Sequence, residues 1–279
     1  MADVTVYLLS LPSILTPSNF LSSVDRNAVL ITGIPHGWVL EPQASEAQHL
    51  LKHEWNLFVV AAPSDGTVQA AAEKFSNAFE KWSVSITQVE YDQLVANAGK
   101  SVAPAKETPP LPEEWSDGQT GRIPARHAHP AKAASLEVGE LKLYEPMASY
   151  LANALPDHVR DEPVSLMNLF KYRNDDRSVH DHYMQGFKEQ FGPAAGAGLK
   201  FMGPVSSQPE YVTGESMASG PIDAASATSW QDGNVVQYDS IWHYAYMLST
   251  DVYQELNKEK INGLEDTCIL LFSEAELQQ

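Results

Sequence analysis

The chain has 279 residues, 43% of them hydrophobic, which is enough for two cores of domain size. Acidic residues outnumber basic ones by 36 to 18, giving a formal net charge of −18; that field repels a phosphate backbone, and no Lys/Arg cluster offsets it, so nucleic acid is excluded as a partner. No apolar run is long enough to span a membrane, the N-terminus lacks a signal-peptide pattern, and the single cysteine, Cys268, sits in an apolar run, which together predict a cytoplasmic protein that stays off membranes.

In chain order, Val4–Leu11 alternates as a strand. Ala28–Leu40 reads as a strand bent around Gly33-Ile34-Pro35, and Ser45–His53 as a helix or turn. Trp55–Ala62 is an apolar strand ended by Pro63. Thr67–Trp82 places Val68, Ala71, Ala72, Phe75, Phe79 and Trp82 at helical spacing, and Ser83–Glu90 alternates as a strand. From Gly99 to about Ala134 repeated prolines preclude long regular structure, so the stretch reads as a linker, with Trp115 as an anchor onto a domain surface. Leu136–Leu155 is predicted helical and Pro163–Arg173 a strand. Ser178 reads as the N-cap of a helix to about Phe191, with Val179, Tyr183 and Phe187 one turn apart. Leu199–Ser206 is a short strand, Ser207–Ser226 a Gly/Ser/Ala-rich loop, and Thr228–Tyr238 a strand. Ser240–Ser249 and Asp251–Lys260 are helices, and Asp266–Phe272 is the last strand. The order βαβ–loop–βαβ in this second part is the split βαβ pattern, a four-stranded antiparallel sheet with both helices on one face.

The strand Val164–Arg173, the run Tyr238–Gln254 and the turn Gly263-Leu264-Glu265-Asp266-Thr267 resemble, in that order, motifs of a ferredoxin-like dimeric α/β-barrel family of unknown function. Trp230-Gln231-Asp232 falls where that family often has Trp-Asp-Glu. The N-terminal part is similar to the degenerate first repeat of uncharacterised proteins of filamentous fungi. The resemblance implies an α+β fold in which two ferredoxin-like split βαβ repeats form an intrachain dimeric α/β-barrel, as a monomer or a further homodimer. Its units would be a degenerate repeat at 1–95, a Pro-rich linker at 96–135 and a second repeat at 136–279. Relatives on this fold include cofactor-free monooxygenases, polyketide cyclases, isomerases, decarboxylases and haem enzymes.

Asn168 is a mid-strand amide on the face carrying Val164, Leu166, Phe170 and Tyr172, where it either orients a substrate carbonyl or makes a structural hydrogen bond to a neighbouring loop. His180 and His182 point about 200° apart on a helix, so they cannot share a metal; one of them could serve as a general base, and His182, flanking Val179 and Gly186, is preferred. His243 lies in the aromatic run Trp242–Tyr246, and Asp232 shares a strand face with Trp230, Asn234, Val236 and Tyr238, where burial would raise its pKa. His36 is a loop histidine, and His127 and His129 lie in the linker. No dinucleotide, P-loop, nucleophile-elbow or zinc-protease motif occurs, so no cofactor and no metal is expected.

The expectation is therefore a small cofactor-independent enzyme acting on an aromatic or polyketide-like metabolite by proton transfer, as a cyclase, isomerase or decarboxylase. His182, His243 and Asp232 would be catalytic, and Asn168, Tyr172, Trp230, Tyr183 and Tyr244 substrate-binding. A non-catalytic small-molecule-binding or stress-response barrel and a cofactor-free monooxygenase are the alternatives. A solid core would count against any ligand.

Overall fold

In the computed structural model, residues 1–63, 66–100, 107, 109–117, 120, 122–124, 138, 140–192, 196–213 and 230–274 are described. His127, His129 and most of the predicted Gly/Ser/Ala-rich loop lie outside them.

The N-terminal part runs β1 (Ala2–Ser10), α1 (Pro17–Leu21), β2 (Val29–Leu40), a 3₁₀ turn at Ser45–Leu51, β3 (Leu57–Ala61), α2 (Thr67–Phe75), β4 (Ala78–Ile86) and α3 (Gln88–Asn97). The C-terminal part runs α4 (Glu145–Asn153), β5 (Val164–Tyr172), α5 (Ser178–Phe191), β6 (Ala197–Thr213), β7 (Asp232–Tyr238), α6 (Ile241–Ser249), α7 (Asp251–Gly263) and β8 (Leu264–Ser273).

Several elements differ from the sequence expectation. The predicted helix Thr67–Trp82 stops at Phe75, where Ser76 turns extended and its hydroxyl donates to Ala72 O; Phe79 and Trp82 belong to β4. The predicted strand Ser83–Glu90 ends at Ile86, because Thr87 caps α3: its hydroxyl accepts from Glu90 N at 3.2 Å, and Glu90 Oε2 accepts from Thr87 N at 2.9 Å. Of the predicted helix Leu136–Leu155, Glu145–Asn153 is helical and the described residues 138 and 140–144 are not; Leu143 N donates to Leu248 O. Ser178 is the first residue of α5 rather than its cap, and its N–H donates to the Asp176 carboxylate. β6 is far longer than Leu199–Ser206, because its second half pairs with β4.

All the ladders are antiparallel. The described strands follow the order β1-β3-β2-β8-β5-β7-β6-β4, and β4 returns to β1, closing a barrel. Within the N-terminal part the order is β4-β1-β3-β2, and within the C-terminal part β8-β5-β7-β6. Two seams join the parts. β2 changes partner midway, from β3 over Val29–Gly33 to β8 over Ile34–Leu40, with irregular register around the predicted bend. β6 pairs with β7 at its start and with β4 at its end. At that second seam Gly203 passes so close to β4 that a Cβ on it would lie 1.8 Å from Ser85 O.

Strand alternation sorts the apolar residues into an inside and two outsides. Val6, Phe58, Trp82, Leu169, Phe201, Val235 and Phe272 belong to the interior cluster, with the Phe58 and Phe272 rings stacked at 4.3 Å. Leu9, Val59 and Phe79 face α1 and α2. Leu166, Val236 and Ile269 face α4–α7. Both faces of β5 are thereby covered, which explains its unbroken apolar run. Leu111 and Ile123 of the Pro-rich stretch are buried in that last cluster, and Trp115 packs against it.

Candidate functional site

The face of β5 toward the helices carries Val164, Leu166, Asn168, Phe170 and Tyr172, and β7 sets Asp232, Asn234, Val236 and Tyr238 beside them. Asn168 and Asn234 are register partners, and Asn168 Nδ2 donates to Asn234 Oδ1 at 2.8 Å and to Leu166 O at 3.2 Å. The amide is therefore satisfied across the sheet rather than by a loop.

At the C-terminal end of β5 lies a buried polar chain. Tyr172 Oη donates to Asp232 Oδ2 and lies 3.0 Å from His180 Nδ1. The hydroxyl has one proton, given to Asp232, so its oxygen accepts from His180 Nδ1–H. His180 is then the tautomer whose Nε2 is unprotonated. That nitrogen is buried and, among the described residues, has no hydrogen-bond partner; neither has Asp232 Oδ1. His180 is 0% exposed and Asp232 1%. Burial, and then the charges of Lys260 and Arg177, push the imidazole pKa down to about 3, so the ring is neutral at neutral pH. Burial raises the Asp232 carboxyl, against the Tyr172 hydrogen bond and the Arg177 charge that favour its anion. Arg177 Nε lies 3.1 Å from Asp232 Oδ2 and closes the cluster toward solvent. Burial and Asp232 raise the Tyr172 hydroxyl, which keeps its proton.

Gln231, standing where the resembled family carries an acid, bridges two strands' ends: its Oε1 accepts from Tyr172 N at 2.5 Å and its Nε2 donates to Asp175 at 2.9 Å. A carboxylate could not make the second bond.

Beside this chain, between the sheet and α5–α7, is a cavity of about 30 Å³ lined by Asn168, Asn234, Phe170, Tyr183, Tyr244 and Lys260 among others. A volume of that size holds about two waters. It does not admit an aromatic or polyketide-like molecule without displacement of the rings that wall it. His180 does not itself line the cavity; it stands behind the lining residues Phe170 and Tyr183, with ring centroids 4.3 Å and 5.7 Å away. Tyr244 Oη is buried without a partner among the described residues.

The predicted residues separate accordingly. Asn168, Tyr172, Tyr183, Tyr244 and Asp232 gather on one face. Trp230 does not: it precedes β7 and belongs to the barrel interior with Leu169 and Val235. His182 is also misplaced; its side chain is 74% exposed and pairs with Glu259 at 2.8 Å, and His180 takes the inward position. The reason is helix phase. The buried stripe of α5 is His180, Tyr183, Met184, Phe187 and Phe191, and Val179 stands outside it. His243 is buried, but its Nδ1 meets Ser240 Oγ at 2.9 Å and its Nε2 meets Glu107 O at 3.1 Å, so it ties the start of α6 to the Pro-rich stretch and does not line the cavity. His36 Nε2 meets Ser273 Oγ at 2.8 Å across the β2·β8 seam.

Two features had no sequence expectation. Lys260 is 2% exposed on α7 and lines the cavity. In the other half, Glu80 is fully buried on β4, with Oε2 2.6 Å from His49 Nε2 and Oε1 unpartnered among the described residues. Among the described residues no cluster of His, Cys, Asp and Glu is arranged to hold a metal, and no helix is long and apolar enough to cross a membrane.

No family model matches the chain, and no curated protein matches it. Among solved structures it is similar to RPA0582, a protein of unknown function from Rhodopseudomonas palustris, at 18% identity over 40% of this chain and 82% of that one, with a TM-score of 0.30. It is also similar to a protein from Lactobacillus acidophilus NCFM titled "putative monooxygenase", at 8% identity over 98% of this chain and 94% of that one, with a TM-score of 0.46.

Proposed function

We propose that this protein is an enzyme that moves a proton on a carbonyl-bearing metabolite held between the sheet and α5–α7, using side chains alone. The observation that carries this is the neutral, buried Nε2 of His180, without a hydrogen-bond partner among the described residues and backed by Tyr172 and Asp232. An imidazole whose far nitrogen is held by a hydrogen-bonded chain has a fixed tautomer that leaves Nε2 as the proton acceptor, and its low pKa, about 3, makes it a weak base suited only to an acidified carbon. Asn234, whose Oδ1 is fixed by Asn168 Nδ2, supplies the amide N–H groups beside the cavity that orient a carbonyl oxygen. An aromatic or polyketide-like substrate is compatible with this chemistry only when Tyr183 and Phe187 swing aside, so the first substrates to test are small.

We also infer that the barrel is two split βαβ units carried by one chain. The matching orders β4-β1-β3-β2 and β8-β5-β7-β6 support it.

The test is hydrogen–deuterium exchange at the carbon next to the carbonyl, followed by proton NMR in deuterated buffer over a panel of short aldehydes and ketones. The protein is expected to exchange at least one of them above the buffer rate, and His180→Ala to lose about 100-fold or more of that rate. Equal exchange by His180→Ala and the unmodified protein, or none above buffer, would sink the proposal.

A further inference from the structure

Among the described residues, Lys260 is the one ammonium-bearing side chain that lines the helix–sheet cavity. It lies on the buried stripe of α7 with Tyr253, Leu256, Asn257 and Gly263. A buried lysine with a structural role has a carboxylate or several carbonyl oxygens to receive its protons. Here, among the described residues, no acidic residue lines the cavity and Nζ has neither a hydrogen bond nor an ion pair. The nearby charged or titratable groups are the His180 imidazole of α5 and the hydroxyls of Tyr183, Tyr238, Tyr244 and Tyr253, with Arg177 behind His180. All of those hydroxyls that the cavity reaches are held in the protonated, neutral form by burial. Among the described residues no anion beside Nζ compensates a positive charge, and burial brings its pKa down to about 7. Unlike an exposed lysine, it is present to a large extent as the free amine at neutral pH.

We propose that Lys260 is the nucleophile of this cavity, condensing with a short aldehyde or ketone to form an imine; the inference rests on the same cavity being the reaction site. The nitrogen lone pair attacks the carbonyl carbon and a proton passes from nitrogen to oxygen, giving a carbinolamine. Loss of water then leaves a carbon–nitrogen double bond. The carbonyl oxygen and both amine hydrogens depart as that water, and no oxidant or reductant is consumed. Protonated, the imine draws electrons from the adjacent carbon and acidifies its hydrogens, which are then within the capacity of a neutral imidazole such as His180. The cavity, about 30 Å³, holds about two waters, so even a two-carbon aldehyde enters only as the lining side chains give way, and larger substrates are disfavoured. The Asn234 amide, fixed through its Oδ1 by Asn168, is placed to donate to a carbonyl or hydroxyl oxygen.

The experiment incubates the full chain with glycolaldehyde and sodium cyanoborohydride at pH 7 and locates the reduced adduct by peptide mass mapping. An exposed lysine has only about one amine in a few thousand unprotonated at that pH. Lys260 is therefore expected to be modified at least tenfold faster than any other lysine, and the fast adduct to vanish in Lys260→Met, whose fold is checked by circular dichroism. Adducts spread over surface lysines with Lys260 unmodified would overturn the proposal. Labelling of Lys260 without α-carbon exchange upholds it and removes the proton-transfer reading. Exchange without labelling does the reverse.

Discussion

Lys260→Met tests the electrostatics of the cavity directly. The amine titrates at about 7 in the folded chain against 10.5 for a free side chain. A folded-state pKa below the unfolded one means that the unfolded chain holds its proton more tightly. Stability is then fully present above pH 10.5 and is lost as pH falls through 7. The full span is about 5 kcal/mol, from 3.5 units at about 1.4 kcal/mol each. Between pH 6 and pH 9, the window accessible before tyrosines titrate, the unmodified chain should gain about 2–3 kcal/mol relative to Lys260→Met. The variant itself should be the more stable of the two at neutral pH, since it buries an apolar chain with no proton to release. Urea unfolding of both proteins at pH 6, 7, 8 and 9 measures the difference, and taking the difference cancels every other titrating group. Two stability curves that run parallel within about 0.5 kcal/mol would refute the reasoning. The ammonium would then be charged in the fold, and the imine proposal would lose its nucleophile.

His180 behaves in the same sense at lower pH: its folded pKa, about 3, lies below the ordinary 6.5, so the stability it contributes is present above 6.5 and is lost as pH falls toward 3. His180→Phe should flatten acid unfolding in that window by a few kcal/mol relative to the unmodified chain, and an unchanged acid midpoint would argue that the ring is solvated. Gly203→Ala drives a methyl group into Ser85 O at the β4·β6 seam, where only backbone movement can make room; a loss of about 1–3 kcal/mol is expected, and an unchanged melting temperature would show that the seam is loose.

The second half of the fold is legible in the sequence because its strands and helices carry clean periods and are separated by turn residues. β5, α5, α6 and β8 fall close to their expected places. The first half misleads where two periods overlap. Val68, Ala71, Ala72 and Phe75 are helical, and Phe79 and Trp82 continue that spacing by coincidence, while the β alternation of Phe79 and Glu80 opposes it. Only Ser76-Asn77 mark the break, and neither residue is a strong helix breaker. The site was legible in part. A single-face reading of β5 and β7 finds Asn168, Tyr172 and Asp232. Choosing between His180 and His182 required the phase of α5, which Tyr183, Met184, Phe187 and Phe191 set together but which Val179, Tyr183 and Phe187 alone set wrongly. Lys260 gave no signal because a lysine on an amphipathic helix ordinarily marks the wet face; its spacing from Tyr253 and Leu256 was the only hint of the contrary.

The seam formed by the second half of β2 has a kinetic consequence. His36 and Ser273 meet across it although 237 positions separate them in the chain. Closing so large a loop comes late, since its entropy must be met before the pairing returns anything. Until then β2 and β8 each present an open row of backbone donors and acceptors, and so do β4 and β6 at the other seam. During synthesis the finished N-terminal strands must therefore wait, edges bare, for partners made more than a hundred residues after them. That interval, rather than the folded barrel, is where this chain is most exposed to pairing with its own copies.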